Sequence, residues 1–253
     1  MGDSVRMVTD FFQKVGDVMI RMTNYVMLYA PIGVFGLIAY TVTRHGLAVL
    51  LPLGKLILTA FIATLIFVCI TYLPIIKLIG MKISDYLKGA FEPWLIAFTT
   101  CSSAAALAVN LEASRKMGAS KAIASFAIPL GNTINMNGTS IYMGVTAVFA
   151  AEVFGIDLTL AQQFQIVLMG VLAAVGTAGV PGAGLIMTTL VFTEVGIPLE
   201  AVALIAGIDR ILDMIRTSVN VLGDSLTALV VSKSEGVLGT ELMDQDTVVK
   251  EQL

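Results

Sequence analysis

The sequence predicts an all-α polytopic membrane protein in which two re-entrant helical hairpins enter from opposite faces, each followed by an interrupted transmembrane helix. Three observations lead there. Of 253 residues, 57% are hydrophobic and only 13% charged, too little polar material to cover a water-facing globule of this size. The basic residues gather in four groups: Arg6, Lys14 and Arg21; Lys77, Lys82 and Lys88; Arg115, Lys116 and Lys121; Lys233 and Lys250. The positive-inside rule puts all four in the cytoplasm. Finally, runs of glycine, proline and small polar residues interrupt apolar stretches at membrane depth, where broken backbone is tolerated only beside protein or a water-filled cavity.

In order along the chain, residues 1–80 are expected to hold two transmembrane helices, around Val18–Val42 and Leu51–Leu78, each reaching the roughly 20 apolar residues that cross a hydrocarbon core. Apolar windows of similar reach recur at Ala122–Ala151 and Ala201–Val231. Residues 81–236 are expected to form a second domain. Lys88 and Arg115 are both cytoplasmic by the charge rule, yet only 26 residues separate them. Two full crossings need roughly 40, so residues 86–117 read as a hairpin that turns inside the membrane at "TTCSSAAA". An interrupted helix follows at 121–152, broken around "PLGNTINMNGT". No Lys or Arg occurs between Glu152 and Glu200, so this region is bounded by the external face, and residues 158–196 read as a hairpin entering from outside with its turn at "GTAGVPGAG". The last helix spans 199–232, and 237–253 is a polar cytoplasmic tail. A hairpin followed by an interrupted helix thus occurs twice in opposite senses, the inverted-repeat pattern of transporters with a midplane site.

Other features point the same way. The net charge of −3 gives no reason to expect a nucleic-acid partner, and membrane lipid is the expected surroundings. The first seventeen residues lack the apolar core of a signal peptide. Cys69 and Cys101 both lie in apolar stretches, and no disulfide is expected. Lys55 reads as an interfacial residue that snorkels, and neither Trp94 nor His45, the single histidine, reads as a ligand.

The polar groups of the last helix carry the chemistry. Asp213, Arg216, Asn220 and Asp224 lie 4, 7, 11 and 15 residues after Asp209, within about 80° of one face at roughly 100° per residue, with Thr217 at its edge. Ionisable residues inside a membrane are costly and mark substrate or ion paths; the plainer reading is charges that satisfy each other, such as Asp213 with Arg216. Arg210 points aside from this stripe, toward a structural pairing with Asp209 or Asp213 or a direct role. In "PLGNTINMNGT", Pro129, Gly131 and Gly138 loosen the helix, so that free carbonyls beside Asn135, Asn137 and Thr139 can suit Na⁺; a simply kinked helix is the alternative. Asn137 also opens a glycosylation sequon, a reading its depth argues against. Ser102 and Ser103 at the first tip begin a half-helix whose positive end can meet an anion. The glycines of the second tip offer bare amides and a movable gate, although small-residue runs also serve as packing surfaces.

With these motifs in hand, the sequence resembles the glutamate transporter family, the dicarboxylate and amino acid:cation symporters. The resemblance runs through "YAPIGVFGLIAY", "CSSAA", "NMNGT" in place of NMDGT, "GTAGVPGAG" and "DMIRTSVNVLGD", from about Asp10 to Gly236. It implies an elevator-type transporter core, not an enzyme, in which the hairpins and interrupted helices form a mobile transport domain beside a scaffold-like N-terminal part, in a multi-pass protein of the cell (inner) membrane with a cytoplasmic C-terminus. By position, it implies that Arg216 holds the side-chain carboxylate of aspartate or glutamate and Asp213 the amino group, with Ser102, Ser103, Thr139, Val180, Gly184, Thr217 and Asn220 completing the pocket. One Na⁺ site is implied at Gly131, Asn135, Asn220 and Asp224, and a second at Thr133, Ala174 and Thr177. No organic cofactor is implied.

Three departures stand out. Asn137 occupies the place of an aspartate that ligates a further Na⁺, which weakens or removes that site or replaces it by proton coupling. Cys101 stands at a tip position that is Arg in some prokaryotic members and Ser in animal ones. Family members carry further N-terminal helices, including trimer contacts, so this chain is expected to be the C-terminal portion of a homotrimer-forming protein and not to transport alone. A C4-dicarboxylate or neutral amino acid symporter is the nearest alternative function. A transport-incompetent fragment or channel-like scaffold is another, and an intramembrane aspartyl protease, suggested by "LGD" at Leu222–Asp224, lacks a partner aspartate segment.

Overall fold

The computed structural model describes residues 6–240, so the distal part of the expected tail, 241–253, lies outside the described residues. The chain divides into two compact units, Met1–Val49 and Leu50–Leu253. In the first, α1 (Arg6–His45) runs through Pro31 without ending. It closes at Gly46, whose positive φ of 77° lets its N–H reach Val42 O at 2.7 Å, an ordinary left-handed helix cap.

The second unit begins with α2 (Leu50–Phe67), which passes through one π turn (Val68–Tyr72) into α3 (Leu73–Leu78). Together they make a 29-residue apolar helix, Leu50–Leu78, long enough to cross a membrane. Its outward residues Leu51, Leu58, Phe61, Leu65 and Ile70 are all more than half exposed, which water would penalise and lipid would not. π turns insert one residue and re-aim the side chains that follow; here the turn ends on Tyr72, which is buried.

Two helix–turn–helix pairs follow, each with an interrupted helix behind it. The first pair is α4 (Ile83–Thr100) and α5 (Ser103–Lys116), joined by only Cys101 and Ser102. Cys101 caps α4 in the left-handed conformation at φ 56°, and the Ser102 hydroxyl caps α5 by accepting from Ala105 N at 3.2 Å. Next come α6 (Lys121–Ile134) and α7 (Asn137–Val153), separated at Asn135 and Met136. The break falls inside "PLGNTINMNGT", as expected, but not at its proline: Pro129 sits inside α6, and the helix stops where Asn135 leaves helical dihedrals and its side chain turns to α11. The second pair is α8 (Leu160–Val175), opened by a Thr159–Gln162 capping box, and α9 (Ala183–Val195), joined through Gly176–Gly182. Last are α10 (Glu200–Ala206) and α11 (Asp209–Ser234), separated at Gly207 and Ile208. Here the interruption precedes the polar stripe, which rides on continuous helix. The windows Ala122–Ala151 and Ala201–Val231 are consequently each two helices.

The second unit is organised around α11. It packs on α4, α5, α6 and α7 and also touches α2, and 16 of its 26 residues are buried, far more than a one-sided amphipathic helix shows. Its C-terminal half closes a core with Tyr72, Ile76, Tyr86, Ile128, Leu226 and Leu229, where the Tyr86 hydroxyl donates to Leu222 O at 2.6 Å. The other half carries the polar residues into the space between the two helix breaks and the two tight turns.

Candidate functional site

The polar stripe of α11 is buried throughout: Asp209, Asp213, Arg216, Thr217, Asn220 and Asp224 are each at most 6% exposed. They meet α6, α7 and the segment that opens α9. Arg216 Nε donates to Asp213 Oδ1 at 3.0 Å, and its guanidinium carbon lies 4.6 Å over the ring of Tyr142 on α7, a cation–π arrangement. Its Nη1 is buried without a hydrogen-bond partner and faces Gly184 at the start of α9, where any Cβ would collide with it. Asp213 holds three donors: Oδ1 also accepts from the Thr217 hydroxyl at 2.8 Å, and Oδ2 accepts the Gly182 N–H at 2.8 Å, which leaves Oδ2 one further lone pair. Gly182 reaches that position with φ 77°, a conformation that costs a side-chain-bearing residue about 1–2 kcal/mol.

One turn further, Asn220 is a junction between α11 and the start of α7. Its Oδ1 accepts the Gly138 N–H at 2.7 Å and its Nδ2 donates to Thr139 Oγ1 at 3.1 Å and to the Met136 sulfur at 3.2 Å. Gly138 is required here, because a Cβ would run into the Arg216 backbone. Asp224 accepts from Asn135 Nδ2 at 2.9 Å and lies against Gly131, where a Cβ would come within 2.6 Å of its Oδ1. No basic side chain forms an ion pair with Asp224 among the described residues. Asn135 Nδ2 is shared with Asn220 O at 3.0 Å, while Asn137 Nδ2 donates to Asn135 Oδ1 at 2.6 Å and to Tyr72 Oη at 3.1 Å.

The two turns meet. Gly179 O, in the loop between α8 and α9, accepts from the Ser102 hydroxyl at 2.9 Å and from Ala104 N at 3.2 Å. Ser103 Oγ and Asn132 Oδ1, both beside Gly179, are buried with no partner.

Most residues singled out in the sequence thus fall into groups along α11 and the turns: Asp213, Thr217 and Gly184 with Arg216; Thr139 with Asn220; Gly131, Asn135 and Asn137 with Asp224; and Ser102 and Ser103 on Gly179, where the two turns touch. Others stand apart. Val180 is 40% exposed and its N–H bonds to Ala178 O. Thr133 is exposed, with its hydroxyl on Leu130 O of its own helix. Ala174 and Thr177 are buried, but Ala174 O accepts the Thr177 N–H at 3.0 Å and the Gly176 N–H as well, while Gly131 O accepts the Asn135 N–H at 2.7 Å and keeps one lone pair. Arg210 does not pair with Asp209 or Asp213. Its Nη2 donates to Thr99 O at 2.7 Å and its Nη1 to Thr100 O at 3.4 Å, carbonyls left over at the end of α4. Asp209 instead accepts the Tyr142 hydroxyl at 2.8 Å. Tyr142, Tyr72, Met136 and Asn132 are the contributors that the sequence reading missed. Tyr142 and Met136 flank or fall inside quoted motifs, but nothing in their spacing says that they face α11.

A central helix with a buried Asp–Arg–Asn–Asp face, enclosed by two helix breaks and two touching turns, is the geometry that comparison with known proteins now places. Residues 1–234 match the family model described as the sodium:dicarboxylate symporter family. The chain belongs to that family. Among its relatives, a proton/sodium-glutamate symport protein of Geobacillus stearothermophilus is 39% identical over 241 residues, covering 95% of this chain and 57% of the relative. A proton/glutamate-aspartate symporter of Escherichia coli (strain K12) is 38% identical over 224 residues, covering 88% and 51%. A C4-dicarboxylate transport protein of Bacillus subtilis (strain 168) is 38% identical over 237 residues, covering 93% and 56%. The chain therefore spans just over half the length of these curated relatives. The family is one of symporters, not enzymes, and membership makes this an integral membrane protein, in keeping with the exposed apolar flanks of α2 and with Leu160, Phe164 and Ile186 on α8 and α9.

Proposed function

We propose that this chain forms the core of a secondary active symporter that carries aspartate or glutamate with Na⁺, with protons as a second coupling ion, by elevator-type alternating access. In this reading α4–α5 and α8–α9 are opposed re-entrant hairpins, residues 81–236 form the mobile transport domain, the N-terminal part serves the scaffold of a homotrimer, and the C-terminus is cytoplasmic. Transport itself belongs to the full-length protein.

The observation that carries the proposal is the unpartnered Nη1 of buried Arg216, a cationic donor held between Asp213 and the Tyr142 ring and facing the second turn. An orphaned guanidinium N–H in a low-dielectric site is costly unless an anion meets it, and a carboxylate is its natural complement. Asp213, one turn away, supplies the acceptor for an ammonium group. Acidic amino acids carry both groups, whereas Asp213 repels the second carboxylate of a C4-dicarboxylate. Buried Asp224, with neutral oxygens from Asn135 and Asn220 beside it, is the proposed Na⁺ ligand, since a hard cation takes oxygen donors.

The test is Arg216→Cys in the full-length protein, assayed by calorimetry. Aspartate binding should be abolished while binding of a neutral amino acid such as serine or alanine is spared; unchanged aspartate affinity would falsify the assignment. Competition of labelled aspartate by succinate decides the second reading, that of a C4-dicarboxylate carrier, which one of the relatives quoted above brings into play.

A further inference from the structure

Three carboxylates are buried among the described residues, Asp209, Asp213 and Asp224, and they differ in what protonation would do to their surroundings. Asp213 accepts from Arg216 Nε, the Thr217 hydroxyl and the Gly182 N–H; a proton there would break an ion pair and displace a donor. Asp224 sits with the oxygens proposed for Na⁺. Asp209 has one side-chain donor, the Tyr142 hydroxyl at 2.8 Å, and a phenol can equally well accept.

The Thr188 hydroxyl on α9 stands next along this face and donates to Gly184 O at 2.9 Å. The bond between Asp209 and Tyr142 can reverse. With Asp209 ionised, Tyr142 donates to the carboxylate. With Asp209 protonated, its O–H donates to Tyr142 Oη, while the Thr188 hydroxyl keeps its place on Gly184 O. Gly184 is also the glycine against Arg216 Nη1, and the Tyr142 ring is the face on which that guanidinium lies.

Charge gives this a purpose. The charged and titratable groups around Asp209 are Arg210, Asp213 and Arg216 on its own helix, Tyr142 on α7 and Cys101 at the first hairpin turn. Arg210 is partly exposed and directed at the Thr99 and Thr100 carbonyls. The buried set of Asp209, Asp213 and Arg216 carries one net negative charge, and an acidic amino acid brings a second. The Na⁺ proposed at Asp224 is matched by that carboxylate, and burying two further uncompensated charges is prohibitive, so a second positive charge must enter with the substrate.

We infer that Asp209 takes up the coupling proton when substrate binds, the Tyr142 hydroxyl reversing from donor to acceptor beneath the Arg216 guanidinium. The balance is simple: one H⁺ adds to a carboxylate oxygen of Asp209 and leaves it on release at the other face, with no other bond made or broken. The inference rests on the symporter reading above.

The test uses the full-length protein in proteoliposomes at fixed Na⁺, with aspartate or succinate, whichever the wild type takes up, and a pH dye to follow protons. Wild-type substrate affinity should fall by about tenfold per pH unit above the proton's midpoint, over roughly pH 5 to 8, with proton uptake accompanying substrate. Asp209→Asn mimics the protonated carboxyl, since its amide can donate to Tyr142 Oη; it should bind substrate with no pH slope and no proton uptake. A purely structural role would lower affinity at every pH and keep the slope. Should Asp209→Asn fail to fold, Tyr142→Phe keeps the ring under Arg216 but removes the acceptor, and should flatten the slope. Full slope with full proton uptake in either variant overturns the inference, as does wild-type uptake without protons. A wild type that takes up neither substrate refutes the symporter reading instead, and the inference with it.

Discussion

Gly184→Ala tests whether Arg216 Nη1 is the group that meets the substrate. The added methyl would collide with Nη1 and Cζ and come within 2.9 Å of Nη2. A flexible side-chain end ordinarily moves aside cheaply, but this guanidinium is fixed through Nε on Asp213 at 3.0 Å and by the Tyr142 ring below it. What gives way is the open Nη1 direction, where the ligand carboxylate is placed. Losing one charge-assisted hydrogen bond costs about 1.5–3 kcal/mol, which is roughly 10- to 150-fold in dissociation constant. Stability should move much less, because Gly184 lies in α9, where alanine gains about 0.5–1 kcal/mol over glycine, offsetting part of the local overpacking. The assay is aspartate calorimetry beside thermal unfolding of the purified full-length protein. Gly176→Ala is the control: it lies at the end of α8, at φ −85°, where an added methyl would meet the Met187 methyl at an ordinary 3.5 Å, and should leave affinity within about twofold. Aspartate affinity in Gly184→Ala equal to that of the control would refute the placement of the ligand at Nη1.

Two further substitutions probe the neighbouring contacts. Asn137→Asp replaces a donor with an acceptor 2.6 Å from Asn135 Oδ1, so at low Na⁺ the protein should lose about 1–3 kcal/mol and its melting temperature should climb more steeply with Na⁺ than the wild type's; parallel Na⁺ titrations would show that no cation enters there. Ser102→Ala removes both the cap of α5 and one of the two bonds to Gly179 O. At about 1 kcal/mol, amide exchange across Gly176–Gly182 should quicken about fivefold, and unchanged exchange would mean that the turns do not hold each other.

Why some of this was legible in the sequence and some was not has a physical answer. The helix–turn–helix pairs could be read because two local rules coincide: basic residues at the ends of the first pair and their absence around the second set the faces, and small residues mark where backbone turns. The spacing of Asp209, Asp213, Arg216, Asn220 and Asp224 could be read because helical periodicity is local too, and all five are buried on α11. Break positions were less accessible. The motif "PLGNTINMNGT" located one, but not its residue: Pro129's missing N–H is absorbed within α6, and the helix stops at Asn135, whose side chain finds better partners on α11 than its backbone finds ahead. The partners of Arg210 and Asp209 were not legible at all, because each is decided by what another element presents. The end of α4 has spare carbonyls for Arg210, and α7 brings a phenol to Asp209. That division explains the site's logic. The charges on α11 are set by the chain itself, but their roles are sorted by the three elements that reach them: a guanidinium pair with Gly182 for Asp213, amides for Asp224, and a reversible hydroxyl for Asp209. Three carboxylates on one helix face can then do three different jobs, because only the donors opposite them differ.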